Sequence, residues 1–102
     1  MNYNLNDLAT FLQVAELGTF SAAAAVLGLP KSTVSRRVSR LENELGVELL
    51  RRSSRSFKLT AEGASLLTRG LGALRDLQDS AEALTEQGQA KGTLVITAPE
   101  DL

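Results

Sequence analysis

A chain of 102 residues, 43% of them apolar, supports one small domain with a thin core and a possible extension. It contains no cysteine and no histidine, which removes a disulfide framework, His- or Cys-based metal sites and Ser-His or Cys-His nucleophile pairs. Net charge is −1, yet residues 31–58 carry eight Lys/Arg against three Glu while both flanking segments are acidic, so a cationic field is concentrated in the central third.

Leu5, Leu8, Phe11, Leu12 and Ala15 recur at spacings of three and four and predict an amphipathic helix over about residues 5–17. Asn4 or Asn6 suits its start and Gly18 its end. A second, short helix follows, with Ser21 as its expected N-cap and Phe20 as a staple onto Ala25 or Val26. Its small side chains allow close packing, and Gly28 ends it before the tight link Leu29-Pro30.

A third helix is expected from about Lys31 to Leu45, capped by Gly46. At roughly 100° per residue, Val34, Val38, Leu41 and Leu45 fall on one side and form a docking stripe. The opposite side carries Ser32, Thr33, Arg36, Ser39, Arg40 and Asn43, with no carboxylate among them. Long cations interleaved with small hydroxyls suit a helix lying in a DNA major groove. Two helices joined by a short turn, the second bearing the basic face, make a helix-turn-helix.

Val47–Leu50 and Phe57–Thr60 read as two short strands. Residues 51–56, with Arg51, Arg52, Ser54 and Arg55, form a basic tip between them. Such a hairpin is a wing whose arginines can reach phosphates or a minor groove; Arg51 has Glu48 as an alternative partner.

Thr60 is placed to cap a long helix over about residues 61–87. Its Leu67, Gly70, Leu74, Leu77, Ala81 and Leu84 repeat at three and four, the spacing of a helix-pairing seam. A second copy of the chain is the expected partner, and packing onto the chain's own domain is the alternative. Asp76, Asp79, Glu82 and Glu86 form an acidic stripe expected to face solvent. Residues 88–92 read as a linker and Thr93–Thr97 as a strand. A lone strand has nothing to pair with, so the chain is expected to be a fragment ending just inside a second domain.

The run from Leu8 through Gly18 to Ala24, then Val34-Ser35-Arg36, Leu41–Arg52 and Leu59-Thr60-Ala61-Glu62-Gly63, resembles the N-terminal domain of a LysR-type transcriptional regulator. The likeness covers residues 5 to about 92 in order, and Gly92–Ile96 is similar to the first strand of that family's effector-binding domain. The resemblance implies that Lys31, Ser32, Thr33 and Arg36 face base edges, with Ser35, Arg37 and Arg40 nearer the backbone. It implies that Ser21 meets a phosphate through its hydroxyl and amide, and that Arg52, Ser54 and Arg55 act from the wing. Pro30-Lys31-Ser32 departs from the commonest family pattern, which makes Lys31 a specificity determinant.

The expected fold is mainly α: a winged helix-turn-helix with a three-helix core and two-stranded β wing over residues 1–60, a dimerisation helix over 61–87, and a hinge with the start of a sensing domain over 88–102. The expected function is sequence-specific binding of double-stranded DNA at an interrupted palindrome, as a homodimer. The resemblance implies a small-molecule inducer for the absent domain, a tetramer in the longer protein and contact with RNA polymerase. No cofactor or metal is expected in this chain. Without a signal peptide or an apolar run near ~18 residues, a soluble cytoplasmic protein and no membrane partner are expected. The alternative is a winged helix used for protein–protein assembly. No nucleophile–base pair or phosphate loop supports an enzyme.

Overall fold

The computed structural model describes residues 3–53 and 56–91, with side chains described up to Thr85. The elements in order are α1 (Leu5–Leu17), α2 (Phe20–Leu27), α3 (Lys31–Leu45), β1 (Leu50–Arg52), β2 (Phe57–Leu59) and α4 (Ala61–Lys91). Contacts divide the chain into two units, residues 1–70 and 71–102. The first is a winged helix-turn-helix; the described part of the second is the continuation of α4.

Capping residues account for the helix boundaries. The Asn4 side chain accepts the amide hydrogen of Asn6 at the start of α1. Helices α1, α2 and α3 end at Gly18, Gly28 and Gly46, each with positive φ, a conformation that costs a residue with a Cβ far more than it costs glycine. The α2 cap differs from the expected one. Thr19, not Ser21, is the N-cap: its Oγ1 accepts from Ala22 N at 3.0 Å. The helix therefore begins at Phe20, Ser21 lies inside its first turn, and the staple onto Ala25 or Val26 does not apply. The earlier start brings the Phe20 ring edge-on to Phe57, with centroids 5.6 Å apart.

The core is formed by Phe11, Leu12, Val14, Ala23, Val34, Val38, Leu41, Leu49 and Leu50, all buried. Full burial of a side chain such as Phe11 or Leu41 contributes about 1.5–3 kcal/mol each. Of the expected stripes, Leu8 and Ala15 are half-buried against this core, and two residues are exposed. Leu5 is 72% exposed and Leu45 37% exposed, because each sits at a helix end beyond the reach of the facing helix.

The strands form one antiparallel pair with register Leu50↔Leu59, Arg51↔Lys58 and Arg52↔Phe57. β1 starts three residues later than expected, so Arg51 and Arg52 belong to the strand and the tip is shorter. The cause is Glu42. Its Oε2 accepts the amides of Leu49 at 2.7 Å and Leu50 at 3.1 Å, so the chain after α3 is satisfied by a side chain before a strand partner is available. Ser53 N then donates to Ser56 O at 2.8 Å across the tip.

Thr60 fixes the start of α4. Its hydroxyl donates to Glu48 O at 2.6 Å and accepts from Gly63 N at 3.0 Å, while its amide donates to Leu49 O at 3.0 Å. Gly63 is buried directly against the Leu49 carbonyl, leaving no room for a Cβ. Leu66 and Leu67 pack on the core, and a Cβ at Gly70 would lie 2.7 Å from Leu12 Cδ2. Leu67 and Gly70 thus follow the own-domain alternative for that end of the seam. Further along, Leu77 and Leu84 are 67% and 70% exposed. α4 continues to Lys91 through residues expected as a linker. The expected strand at Thr93–Thr97 lies outside the described residues.

These contacts predict opposite outcomes for two glycines of one helix. Gly63→Ala should lower unfolding stability by about 1–3 kcal/mol, because the methyl meets backbone that has no room to yield. Gly72→Ala, which meets nothing within 4 Å, should raise it by about 0.5–1 kcal/mol. Urea denaturation of the two variants checks both signs.

Candidate nucleic-acid interface

The basic segment folds so that its cations take two different kinds of position. Lys31, Ser32 and Arg36 are exposed along the first turns of α3, and Thr33 is half-buried between them. Arg36 Nη2 lies 3.4 Å from Thr33 Oγ1, a long contact that leaves most of the guanidinium open. Lys31 has no hydrogen-bond or ion-pair partner among the described residues. The docking stripe on the reverse side, Val34, Val38 and Leu41, is fully buried. Thus the residues expected to read bases are presented by a helix whose opposite side is anchored.

Arg40 and Arg37, expected near the DNA backbone, are tied to α1. Arg40 Nε and Nη2 donate to Asp7 Oδ2 and Oδ1 at 2.6 and 2.7 Å, a two-pronged pair. Asp7 is fully buried, while the Arg40 side chain is 50% exposed. The Asp7 hydrogen bonds, and then its charge, push the Arg40 guanidinium above its already high ordinary pKa. A raised folded-state value means that the contribution of the Arg40 charge is undiminished up to the ordinary arginine range and is lost as pH rises through the raised value. One turn along, Arg37 Nη1 donates to the buried Thr10 Oγ1 at 3.3 Å, whose own hydroxyl donates to Asn6 O. A buried carboxylate requires a partner, and Arg40 supplies it while its own side chain stays half exposed.

Arg52 is similarly engaged. Its Nη1 donates to Ser35 Oγ at 2.6 Å and its Nη2 to Ser39 Oγ at 3.1 Å. Its guanidinium carbon stands 4.8 Å from the centroid of the Phe20 ring, within cation–π range. Arg52 therefore joins the hairpin to both α2 and α3. Ser54 and Arg55 lie outside the described residues.

Between the start of α2, the first turns of α3 and the hairpin lies a cleft of 390 Å³, lined by Thr19, Ser21, Lys31, Ser35, Arg52, Ser53 and Ser56 among others. It gathers hydroxyls and two cations with no carboxylate, a composition suited to an anion. Ser21 is exposed at its wall. Among the described residues, no group of three or more His, Cys, Asp or Glu is arranged to hold a metal, and no helix is long and apolar enough to cross a membrane.

The Asp7–Arg40 pair was not anticipated, although its signal is present in the sequence. Asp7 stands at helical spacing from Thr10, Phe11 and Val14, on the side of α1 that is buried. An acid on an apolar stripe calls for a cation across the interface. Glu42 gives no comparable sign in the sequence, because its backbone partners follow a turn.

Residues 5–64 match the family described as "Bacterial regulatory helix-turn-helix protein, lysR family". Over 103 residues the chain is 42% identical to an HTH-type transcriptional regulator of Xanthomonas campestris pv. campestris, covering 100% of this chain and 30% of that protein. It is 49% identical over 86 residues to the regulator CrgA of Neisseria meningitidis serogroup B, covering 84% and 28%. The chain thus spans less than a third of the length of these curated relatives. Among solved structures, it is similar to the BenM_DBD/catB site 1 DNA complex, with TM-score 0.72, 32% identity and coverage of 84% of this chain and 94% of that one. It is also similar to full-length AphB, a Vibrio cholerae virulence activator, with TM-score 0.71, 30% identity and coverage of 80% and 28%.

The division of the arginines predicts unequal effects on stability. Arg40→Met, which strands the buried Asp7, should lower the thermal midpoint by at least about 5 °C, whereas Arg36→Ala should move it by about 2 °C or less. Calorimetry of the two variants without DNA tests the assignment.

Proposed function

Because the chain belongs to the LysR family of bacterial regulatory helix-turn-helix proteins, we propose that it binds double-stranded DNA sequence-specifically, as a homodimer, within a transcriptional regulator. The observation that carries this reading is the exposure of Lys31, Ser32 and Arg36 on one side of α3 while its other side is locked into the core. A helix so presented can enter a major groove, where a cationic fork pairs with the acceptors of guanine and small side chains permit close approach. Lys31, Ser32, Thr33 and Arg36 read base edges. The hydroxyl-lined cleft beside them, with Ser21 and Ser35 on its walls, receives a backbone phosphate. Arg55 and Ser54 act from the hairpin tip. Arg37 and Arg40 lie nearer the DNA backbone, each also tied to α1 through part of its guanidinium.

Dimerisation is assigned to α4, through Leu74, Leu77, Ala81 and Leu84, all exposed in this chain. The pairing would set two recognition helices on successive half-sites of an interrupted palindrome. The relatives' greater length supports a sensing domain beyond this segment. A small-molecule inducer, a tetrameric assembly and contact with RNA polymerase belong to that longer protein, acting in the cytoplasm.

Selection of bound duplexes from a random pool tests this reading directly: enrichment of a two-fold-symmetric site is expected, and no enrichment by the folded chain would reject it. Arg36→Ala should cost about 1–3 kcal/mol at one position of each half-site and relax its base preference. An equal loss on every sequence would make Arg36 a phosphate ligand instead. Leu77→Asp should halve the sedimentation mass; an unchanged mass would dismiss α4 as the pairing surface.

A further inference from the structure

A hydroxyl has one hydrogen to donate and two lone pairs to accept with, whereas a guanidinium can only donate. Arg52 Nη1, 2.6 Å from Ser35 Oγ, therefore makes Ser35 the acceptor. No acceptor for the Ser35 hydrogen is present among the described residues, and the side chain borders the cleft shared by Ser21, Lys31 and Ser53. The same guanidinium holds Ser39 Oγ at 3.1 Å and covers the Phe20 ring, which itself packs on Phe57. One side chain thus joins α2, α3 and both strands, and its planar fork is what fits: an ammonium would reach one of these partners, not all.

We infer that Arg52 is a positioning residue, a clamp that fixes the hairpin against α3 and turns the Ser35 hydroxyl into a donor aimed at a DNA phosphate in the adjoining cleft. The inference rests on the DNA-binding reading for its ligand, but the clamp itself exists in the free protein. Its effect on DNA travels through Ser35, so Arg52 acts by shape and hydrogen-bond direction more than by its own charge.

The test compares Arg52→Lys, Arg52→Gln, Ser35→Ala and the double variant Arg52→Gln/Ser35→Ala, each first shown to be folded by circular dichroism. Affinity is measured for the selected duplex over a range of salt. Arg52→Lys should lose about as much affinity as Arg52→Gln, about 10- to 100-fold, the size expected for losing one hydrogen bond to a charged group. The salt slope should stay that of the parent in both variants, and Ser35→Ala should cost little once Arg52 is gone. If Lys restores binding, or if Gln lowers the salt slope by about one phosphate equivalent, Arg52 is a direct phosphate ligand and the clamp is overturned. In the free protein, NMR should show the Arg52 δ-methylene signals displaced by the Phe20 ring current and returned to ordinary positions by Phe20→Leu. Ordinary positions in the parent chain would also overturn the clamp. Should the parent bind no duplex, the DNA-binding reading fails, and the clamp as a DNA-positioning device falls with it. A displaced δ-methylene signal would then assign Arg52 to holding the hairpin alone.

Discussion

A carboxylate removed from water must be met by positive charge and hydrogen bonds where it lies. Asp7 is such a group, and the rest of the helix-turn-helix is arranged around its pairing with Arg40. The two-pronged bond sets the rotation of α3 about its own axis relative to α1. Once Arg40 and Arg37 are drawn toward Asp7 and Thr10, Val34, Val38 and Leu41 face Phe11 and Val14, and Lys31, Ser32 and Arg36 are left facing outward. A pair of this kind adds little net stability compared with a well-packed apolar substitute, but it discriminates sharply among rotations and registers that apolar packing alone would tolerate.

The hairpin is positioned by a second layer of polar contacts. Glu42 takes the amides of Leu49 and Leu50 and so directs the chain leaving α3 back under the domain. Thr60 then ties the same end of the strand pair to the start of α4. Arg52 completes the attachment on the other side of the hairpin. A two-stranded sheet is marginal by itself in water, and here side-chain bonds to helices at its root and along its length do what a larger sheet would do by burial.

Much of this was legible in the sequence because it depends on local rules. The three- and four-residue spacings gave α1 and α3 their bounds, and Gly18, Gly28 and Gly46 marked the stops. The reading of α3 as two-sided held for Val34, Val38 and Leu41. It did not show the Arg40–Asp7 pair, because a helical projection sorts residues by direction and cannot see that a long side chain at the boundary will bend toward a buried acid on another helix. Thr19 stands as the cap in place of Ser21, and with that start Phe20 packs edge-on to Phe57. β1 moved because Glu42, distant in sequence, occupied its first amides. In the α4 seam, spacing alone could not separate Leu67 and Gly70, which meet the core beside them, from Leu77 and Leu84, which are exposed. The Arg40 pair, the start of β1 and the near end of the α4 seam were each settled by partners on other elements.

The two sides of α3 also differ in what a substitution at each would disturb. Changes at Lys31, Ser32 or Arg36 touch no buried atom, no cap and no interhelical bond other than the long Arg36–Thr33 contact within the helix itself. Changes at Val34, Arg37, Val38, Arg40 or Leu41 disturb the packing or the polar ties to α1. The surface presented outward is therefore free to diversify by single substitutions without passing through unfolded intermediates. A scaffold of this kind can be duplicated and re-addressed repeatedly, each copy keeping its framework while its exposed residues drift to a new target.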